Sequence, residues 1–216
     1  MKKNTVLITG GAGFIGSCLC KNLIKNTNHN IVIIDKLTYA GDMKAINSII
    51  KSERVNFIQG SIGNKTLIKS ILKKHGPENI YNLAAETHVD NSISRPREFI
   101  RTNIMDTHTF LEIMLEYYAK LDDSRSKDFK FLQISTDEVY GDIKKLQKPV
   151  TESAPFKPSS PYSASKASAD HLVGAYFRTY GFPSFISHCS NNYGPYQNRE
   201  KFIPLIFNKI LNKQRI

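Results

Sequence analysis

The stretch STDEVYG, residues 135–141, closes the apolar run FKFLQI with a hydroxyl and two adjacent carboxylates: Thr136, Asp137 and Glu138. Elimination of water needs an acid and a base in unlike protonation states. Two close carboxylates disfavour double ionisation, so one of them keeps its proton. A second reactive pair stands in SPYSASK, where Tyr162 and Lys166 are four residues apart. On a predicted helix that spacing puts them on one face. A phenol has a pKa of about 10 and is a poor base at neutral pH. A neighbouring ammonium favours the phenolate, and such a pair can take a proton from an alcohol while hydride leaves the same carbon.

A hydride needs an acceptor, and VLITGGAGFIGS supplies a place for one. Gly10, Gly11, Gly13 and Gly16 are spaced as in dinucleotide turns, after a predicted strand and before a predicted helix. Such glycines permit the tight turn, let backbone approach a pyrophosphate, and allow close helix–strand packing. Free N–H groups at the helix start then face the phosphates. Asp35 ends the second predicted strand, about twenty residues on, where a carboxylate accepts hydrogen bonds from the adenosine ribose. It would repel a 2′-phosphate, so the expected cofactor is NAD rather than NADP. Lys36, next to it, pulls the other way.

Six short runs read as strands: TVLITG, NIVIID, VNFIQG, NIYNLA, FKFLQIST and PSFISHC. Most are nearly continuous apolar runs, as in strands covered on both faces. Helical periods lie between them at 14–26, 42–51, 64–74, 96–120 and 161–180. The alternation predicts an α/β fold, a Rossmann-type doubly wound parallel sheet, with ligands at the strand C-termini where the strand order switches. KLDDSRSKD reads as a polar loop, and KPVTESAPFKPSSP as a long loop before the Tyr162 helix. KFIPLIFNKILNKQRI opens as an apolar helix. The expected division is a dinucleotide-binding domain over 1–190 and the start of a smaller substrate-binding region over 191–216.

The net charge of +11 raises a nucleic-acid reading. The lysines are spread along the whole chain without a nucleic-acid motif, so a solvated surface that also steers anionic ligands is preferred. Cys18, Cys20 and Cys189 have no metal-ligand spacing and read as buried thiols of a reducing compartment; no metal is expected. No apolar run is long enough to cross a bilayer. MKKNTVLITGG is too short in its apolar part, and too glycine-broken, for a signal peptide. A soluble cytoplasmic protein is the expectation.

Together the glycine turn, the Tyr-x-x-x-Lys pair and the Thr at the fifth strand resemble the short-chain dehydrogenase/reductase superfamily, in its extended, nucleotide-sugar branch. Within it, STDEVYG resembles the dTDP-glucose 4,6-dehydratase family. YNLAAETHVDNSI, FIRTNIMDT, SPYSASKASADHLV and SNNYGPYQNREKFIPL resemble that family's segments in the same order. The resemblance implies oxidation of the sugar C4 hydroxyl, with Tyr162 as base beside Lys166, and Thr136 bonded to the C4 oxygen. Glu138 then removes the C5 proton, Asp137 protonates the departing C6 hydroxyl, and the hydride returns to C6. NAD is the implied cofactor, a nucleoside-diphosphate hexose the implied substrate, and a homodimer the implied assembly.

Further roles follow from the same resemblance. Gly10, Gly13, Phe14, Ile15 and Gly16 would lie at the pyrophosphate. Asp35, Lys36, Leu37 and Thr38 would surround the adenosine ribose, with Ser61 and Ile62 beyond them. Leu83, Ala84, Ala85, Thr102 and Asn192 would also touch the cofactor, and Thr87, Asn191, Lys201 and Phe202 the nucleotide-sugar. Ser61 stands where the family usually has an acid, and Asp106 where it often has Gly. Family chains run well past residue 216. The alternatives are a related epimerase or decarboxylase, against which the Asp137–Glu138 pair argues, and a non-catalytic NAD-binding module.

Overall fold

The computed structural model describes residues 4–142 and 149–215. Six strands form one parallel sheet: β1 (Thr5–Thr9), β2 (Asn30–Asp35), β3 (Val55–Gln59), β4 (Asn79–Asn82), β5 (Lys130–Thr136) and β6 (Ser184–Cys189), in the order β3-β2-β1-β4-β5-β6. The chain winds outward from β1 to β3, then returns to the other side of β1 and winds out to β6. The switch falls between β1 and β4, where Thr9 pairs with Asn82. All six expected strands and the doubly wound topology are therefore present.

The apolar runs alternate their faces. Leu7, Val32 and Ile34 pack on one side of the sheet with Phe110, Phe131 and Phe182. Val6, Ile8, Ile31 and Ile33 pack on the other with Ala12, Cys20 and Ile46. Both faces are dry because helices cover both, which is why the strands lack a polar side. Among the cysteines only Cys20 is fully buried; Cys18 is exposed and Cys189 half-buried, which narrows the expectation of three buried thiols.

Helix α1 (Phe14–Asn26) and the long Tyr162 helix lie where the periodicity puts them. The expected helix over 42–51 shrinks to α2 (Met43–Ile46), because Asn47 and Ile49 bond back three residues in tight turns rather than continuing the helix. Helix α3 (Lys65–His75) starts on the Asn64 side chain and ends at left-handed Gly76. A short α4 (Val89–Ser94) was not expected; it stops at Arg95, before Pro96. The expected helix over 96–120 is three pieces: α5 (Pro96–Phe99), a π-helical stretch (Ile100–Asp106) and α6 (Thr107–Tyr118). KLDDSRSKD is not all loop, since Asp122 caps α7 (Asp123–Asp128) by accepting from the Arg125 N–H at 2.9 Å.

Helix α8 (Pro161–Tyr180) begins on a reciprocal cap between Ser160 and Ser163, with Pro161 in its first turn, and ends at left-handed Gly181. The cap fixes where Tyr162 and Lys166 fall relative to the end of β5. Beyond β6, α9 (Phe202–Leu211) has no buried residue. The segment rejected as a signal peptide, the long loop from 148 and the apolar C-terminal stretch each reach residues outside the described ones at their ends.

Candidate active site

The sheet's C-terminal edge opens into a cavity of about 290 Å³. One end is backbone. Gly10 sits at φ +66°, and a Cβ on it would lie 2.9 Å from the Leu83 carbonyl and the Ala84 nitrogen. A Cβ on Gly16 would lie 2.2 Å from the Gly10 oxygen, so the helix can meet the strand only without one. Gly13 caps α1 with no side chain, and its Cβ position faces nothing closer than 3.3 Å. The first N–H groups of α1 are thus unclaimed by a cap and border the cavity at Phe14, Ile15 and Gly16. That cradle fits a pyrophosphate.

Asp35 ends β2 and its carboxylate is pinned by two backbone donors, the Ala12 N–H at 3.0 Å and the Leu37 N–H at 2.8 Å. Each oxygen keeps acceptor capacity for a ribose hydroxyl. Leu37 itself takes a left-handed conformation, φ 55°, to deliver that N–H. It does not line the cavity, whereas Lys36, Thr38, Ile62 and Thr102 do. Ser61 is also off the cavity. Its hydroxyl donates to Asp106 at 3.1 Å.

The other end is made of side chains. Thr136, Glu138, Tyr162 and Lys166 all line it. Tyr162 is 8% exposed and Lys166 4%. Burial, with Glu138's charge second, pushes the Tyr162 phenol well above its usual value; the Thr136 hydroxyl, hydrogen-bonded to it, opposes the shift. Lys166 is pushed down by burial and held up in part by Asp170. Its ammonium donates to the Ile134 carbonyl at 2.6 Å rather than to the phenol. No hydrogen bond joins the ammonium to the phenol, so any help from it to the phenolate is through charge alone.

The paired carboxylates are unequal. Glu138 is half-buried, and burial, then Asp137's charge, raise its pKa, while Lys201 lowers it. Asp137 is exposed and outside the cavity lining. Its Oδ1 accepts from the Thr136 hydroxyl at 3.4 Å. The 3₁₀ turn Asp137–Tyr140 after β5 produces this split, since consecutive residues on it point in different directions.

Leu83, Ala84, Ala85, Thr87, Asn191, Asn192 and Lys201 all border the cavity, and the Lys201 ammonium donates to the Thr87 carbonyl at 3.1 Å. Phe202 does not border it and is 76% exposed. Sequence reasoning missed Glu86, a half-buried acid on the cavity wall whose pKa is raised by burial. It also missed Asp170, which lies behind the reactive end. Asp170 accepts from Ser135 at 2.6 Å and is 3.1 Å from His188 Nε2. The signal was there, an acid one helical turn beyond Lys166 on the same buried face.

A family model described as GDP-mannose 4,6 dehydratase matches residues 7–215. The chain belongs to that family. Among its relatives, the dTDP-glucose 4,6-dehydratase of Salmonella typhimurium is 48% identical over 209 residues, covering 93% of this chain and 58% of the relative. The Haemophilus influenzae protein of the same name is 46% identical over 209 residues, covering 96% and 62%. The crystal structure of dTDP-glucose 4,6-dehydratase from Bacillus anthracis in complex with NAD superposes with a TM-score of 0.86 at 39% identity, covering 98% of this chain and 63% of that one. A UDP-glucuronic acid 4-epimerase from Bacillus cereus, with UDP-glucuronic acid and NAD, gives 0.85 at 30% identity, covering 97% and 64%. The chain thus spans about three-fifths of the length of these family members. The resemblance drawn from the motifs is borne out.

Proposed function

We propose that this chain carries the cofactor site and the acid–base groups of an NAD-dependent dTDP-glucose 4,6-dehydratase. The observation that carries the reading is the shared cavity, with a glycine cradle and Asp35 at one end and Thr136, Glu138, Tyr162 and Lys166 at the other. The named relatives support the substrate, and the NAD complex of the Bacillus anthracis enzyme supports the cofactor.

When bound, NAD would accept a hydride from the sugar C4 and later return it to C6. Phe14, Ile15 and Gly16 would hold its pyrophosphate through backbone, and Asp35 its ribose. Tyr162 takes the C4 hydroxyl proton while Thr136 orients the oxygen. A ketone at C4 makes the C5 proton acidic, and Glu138 removes it. The raised basicity of Glu138 suits that step. By the resemblance to the family, Asp137, which is exposed and outside the cavity lining, would give a proton to the C6 hydroxyl as the C6–O bond breaks and water leaves. Glu138 finally returns its proton to C5. Asn191 and Lys201 would hold the nucleotide-sugar.

The domain division at 190/191, a homodimer and a cytoplasmic setting belong to the same proposal. Exposed Ile100, Met105, Phe177 and Tyr180 support a dimer face. Among the described residues no helix is long and apolar enough to cross a membrane. The test is incubation of the chain, and of any longer protein that contains it, with NAD and dTDP-glucose deuterated at C4. A 4-keto-6-deoxy product carrying deuterium at C6 is expected. A C4-epimerised sugar without water loss would favour the epimerase reading instead.

A further inference from the structure

Lys36 poses a problem for NAD selectivity. It follows directly on the ribose-binding Asp35 and lines the cavity. A free ammonium there would welcome a 2′-phosphate and offset the repulsion from Asp35. The structure shows where that ammonium goes. Its Nζ lies 2.9 Å from Asp106 Oδ2 and donates to the Thr102 hydroxyl at 3.3 Å. Asp106 closes the π-helical stretch, four residues after Thr102, so both partners reach Lys36 from one helix face.

Asp106 is itself held. Its Oδ2 also accepts from Ser61, on the loop after β3, whose hydroxyl in turn accepts from the Gly63 N–H at 3.1 Å. Its Oδ1 packs over Gly63, where a Cβ would lie 2.2 Å away. A side chain at 63 would push the carboxylate out of this position. The side chain of Asp106 is 15% exposed and that of Lys36 32%, so the pair is partly shielded from water. Glu86 adds a second negative charge that Lys36 feels. Three segments, the ends of β2 and β3 and the π-helical stretch, thus converge on one cation at the cavity wall.

Resting on the reading of the cavity as a dinucleotide site, we propose that Asp106 sets cofactor selectivity as a positioning residue. By fixing Lys36 against Thr102 and Ser61, it withholds the cation that would bind a 2′-phosphate, leaving Asp35 to select a ribose with free hydroxyls. Freed from Asp106, the flexible four-carbon stem of Lys36 can turn to the ribose edge, and the pocket then accepts NADP.

The test measures NAD and NADP binding to the whole chain by titration calorimetry, for the unsubstituted protein, Asp106→Asn, Lys36→Met and the double variant. The unsubstituted chain should prefer NAD. Asp106→Asn should narrow that preference by ~10-fold through tighter NADP binding, the worth of one charge-assisted hydrogen bond. The double variant should lose the gain, because the Lys36 ammonium that would meet the 2′-phosphate is gone. A merely structural role for Asp106 would weaken both cofactors together. NAD binding with a ratio unmoved by Asp106→Asn overturns this proposal alone. So does a gain in NADP binding that persists in the double variant, which lacks the Lys36 ammonium. Absence of any dinucleotide binding by the unsubstituted chain overturns the dinucleotide reading and this proposal with it.

Discussion

The two ends of the cavity are built from different materials. The glycine-lined end is backbone, shaped by what Gly10, Gly13 and Gly16 lack, and it comes from one continuous stretch between β1 and α1. The reactive end is side chains drawn from β5, the 3₁₀ turn, α8 and the segment after β6. A backbone site is rigid and its chemistry fixed; a side-chain site can be tuned one residue at a time. The cost of that freedom is burial of charge, and the groups behind the reactive end exist to meet it. Asp170 partly offsets the desolvation of Lys166, and is itself bonded by Ser135.

Substitutions can sharpen this contrast. The largest effect is expected from Gly16→Ala, because its Cβ would lie 2.2 Å from a backbone oxygen that cannot step aside. We expect a loss of roughly 3 kcal/mol of stability in urea titrations, at the upper end for overpacking. Asp170→Ala comes next. It strands Ser135 and leaves the buried Lys166 ammonium without its carboxylate, at about 2–3 kcal/mol. The first substitution breaks a shape and the second breaks a charge balance, so only the second should depend on pH.

Gly13→Ala is the informative smaller case. Its backbone, φ −76° and ψ 175°, suits any residue, and the nearest atom to a new Cβ is 3.3 Å away. Stability should change by under about 1 kcal/mol, since the lost freedom of the unfolded chain offsets the tight contact. Dinucleotide affinity, read by calorimetry, should fall clearly, because the methyl enters the phosphate cradle. Equal loss of stability at Gly13 and Gly16 would erase the distinction between a packing glycine and a binding one.

How much of this was legible in the sequence follows the same division. The glycine turn and Asp35 lie within one βαβ stretch, so local spacing alone placed them. Tyr162 and Lys166 were legible because helical period puts four-apart residues on one face. Lys166's actual acceptor, the Ile134 carbonyl, was not, since it depends on how α8 meets β5 in space. The same holds for Asp137. Adjacent letters suggested a symmetric pair, and the 3₁₀ turn separated them into one half-buried and one exposed acid. The π-helical stretch left no mark in the periodicity of 96–120, yet it carries Thr102, which lines the cavity, and Asp106, which pairs with the lining residue Lys36.

The smallest effect concerns Glu138. Its pKa in the folded chain is raised, so the stability linked to its protonated form is full below its unfolded value and lost as pH rises through the folded one. Glu138→Gln should therefore gain on the unsubstituted chain as pH rises from acid to neutral, by ~0.5 kcal/mol or less for a half-exposed, solvent-screened group. Carbon NMR of labelled Glu should show its titration moving down in Asp137→Asn, because the like charge beside it is gone. No movement would mean the two acids do not sense each other, and the reactive end would lose its paired acid and base.

The central claim is that one cavity joins the glycine cradle to the acid–base groups, and a crystal structure of the chain soaked with NAD tests it most directly. The expected density places the pyrophosphate against the N–H groups of Phe14 and Ile15, the adenosine ribose on Asp35, and the nicotinamide between Thr136 and Tyr162. A nicotinamide lying away from Tyr162, with the adenosine end still seated on Asp35, would contradict it.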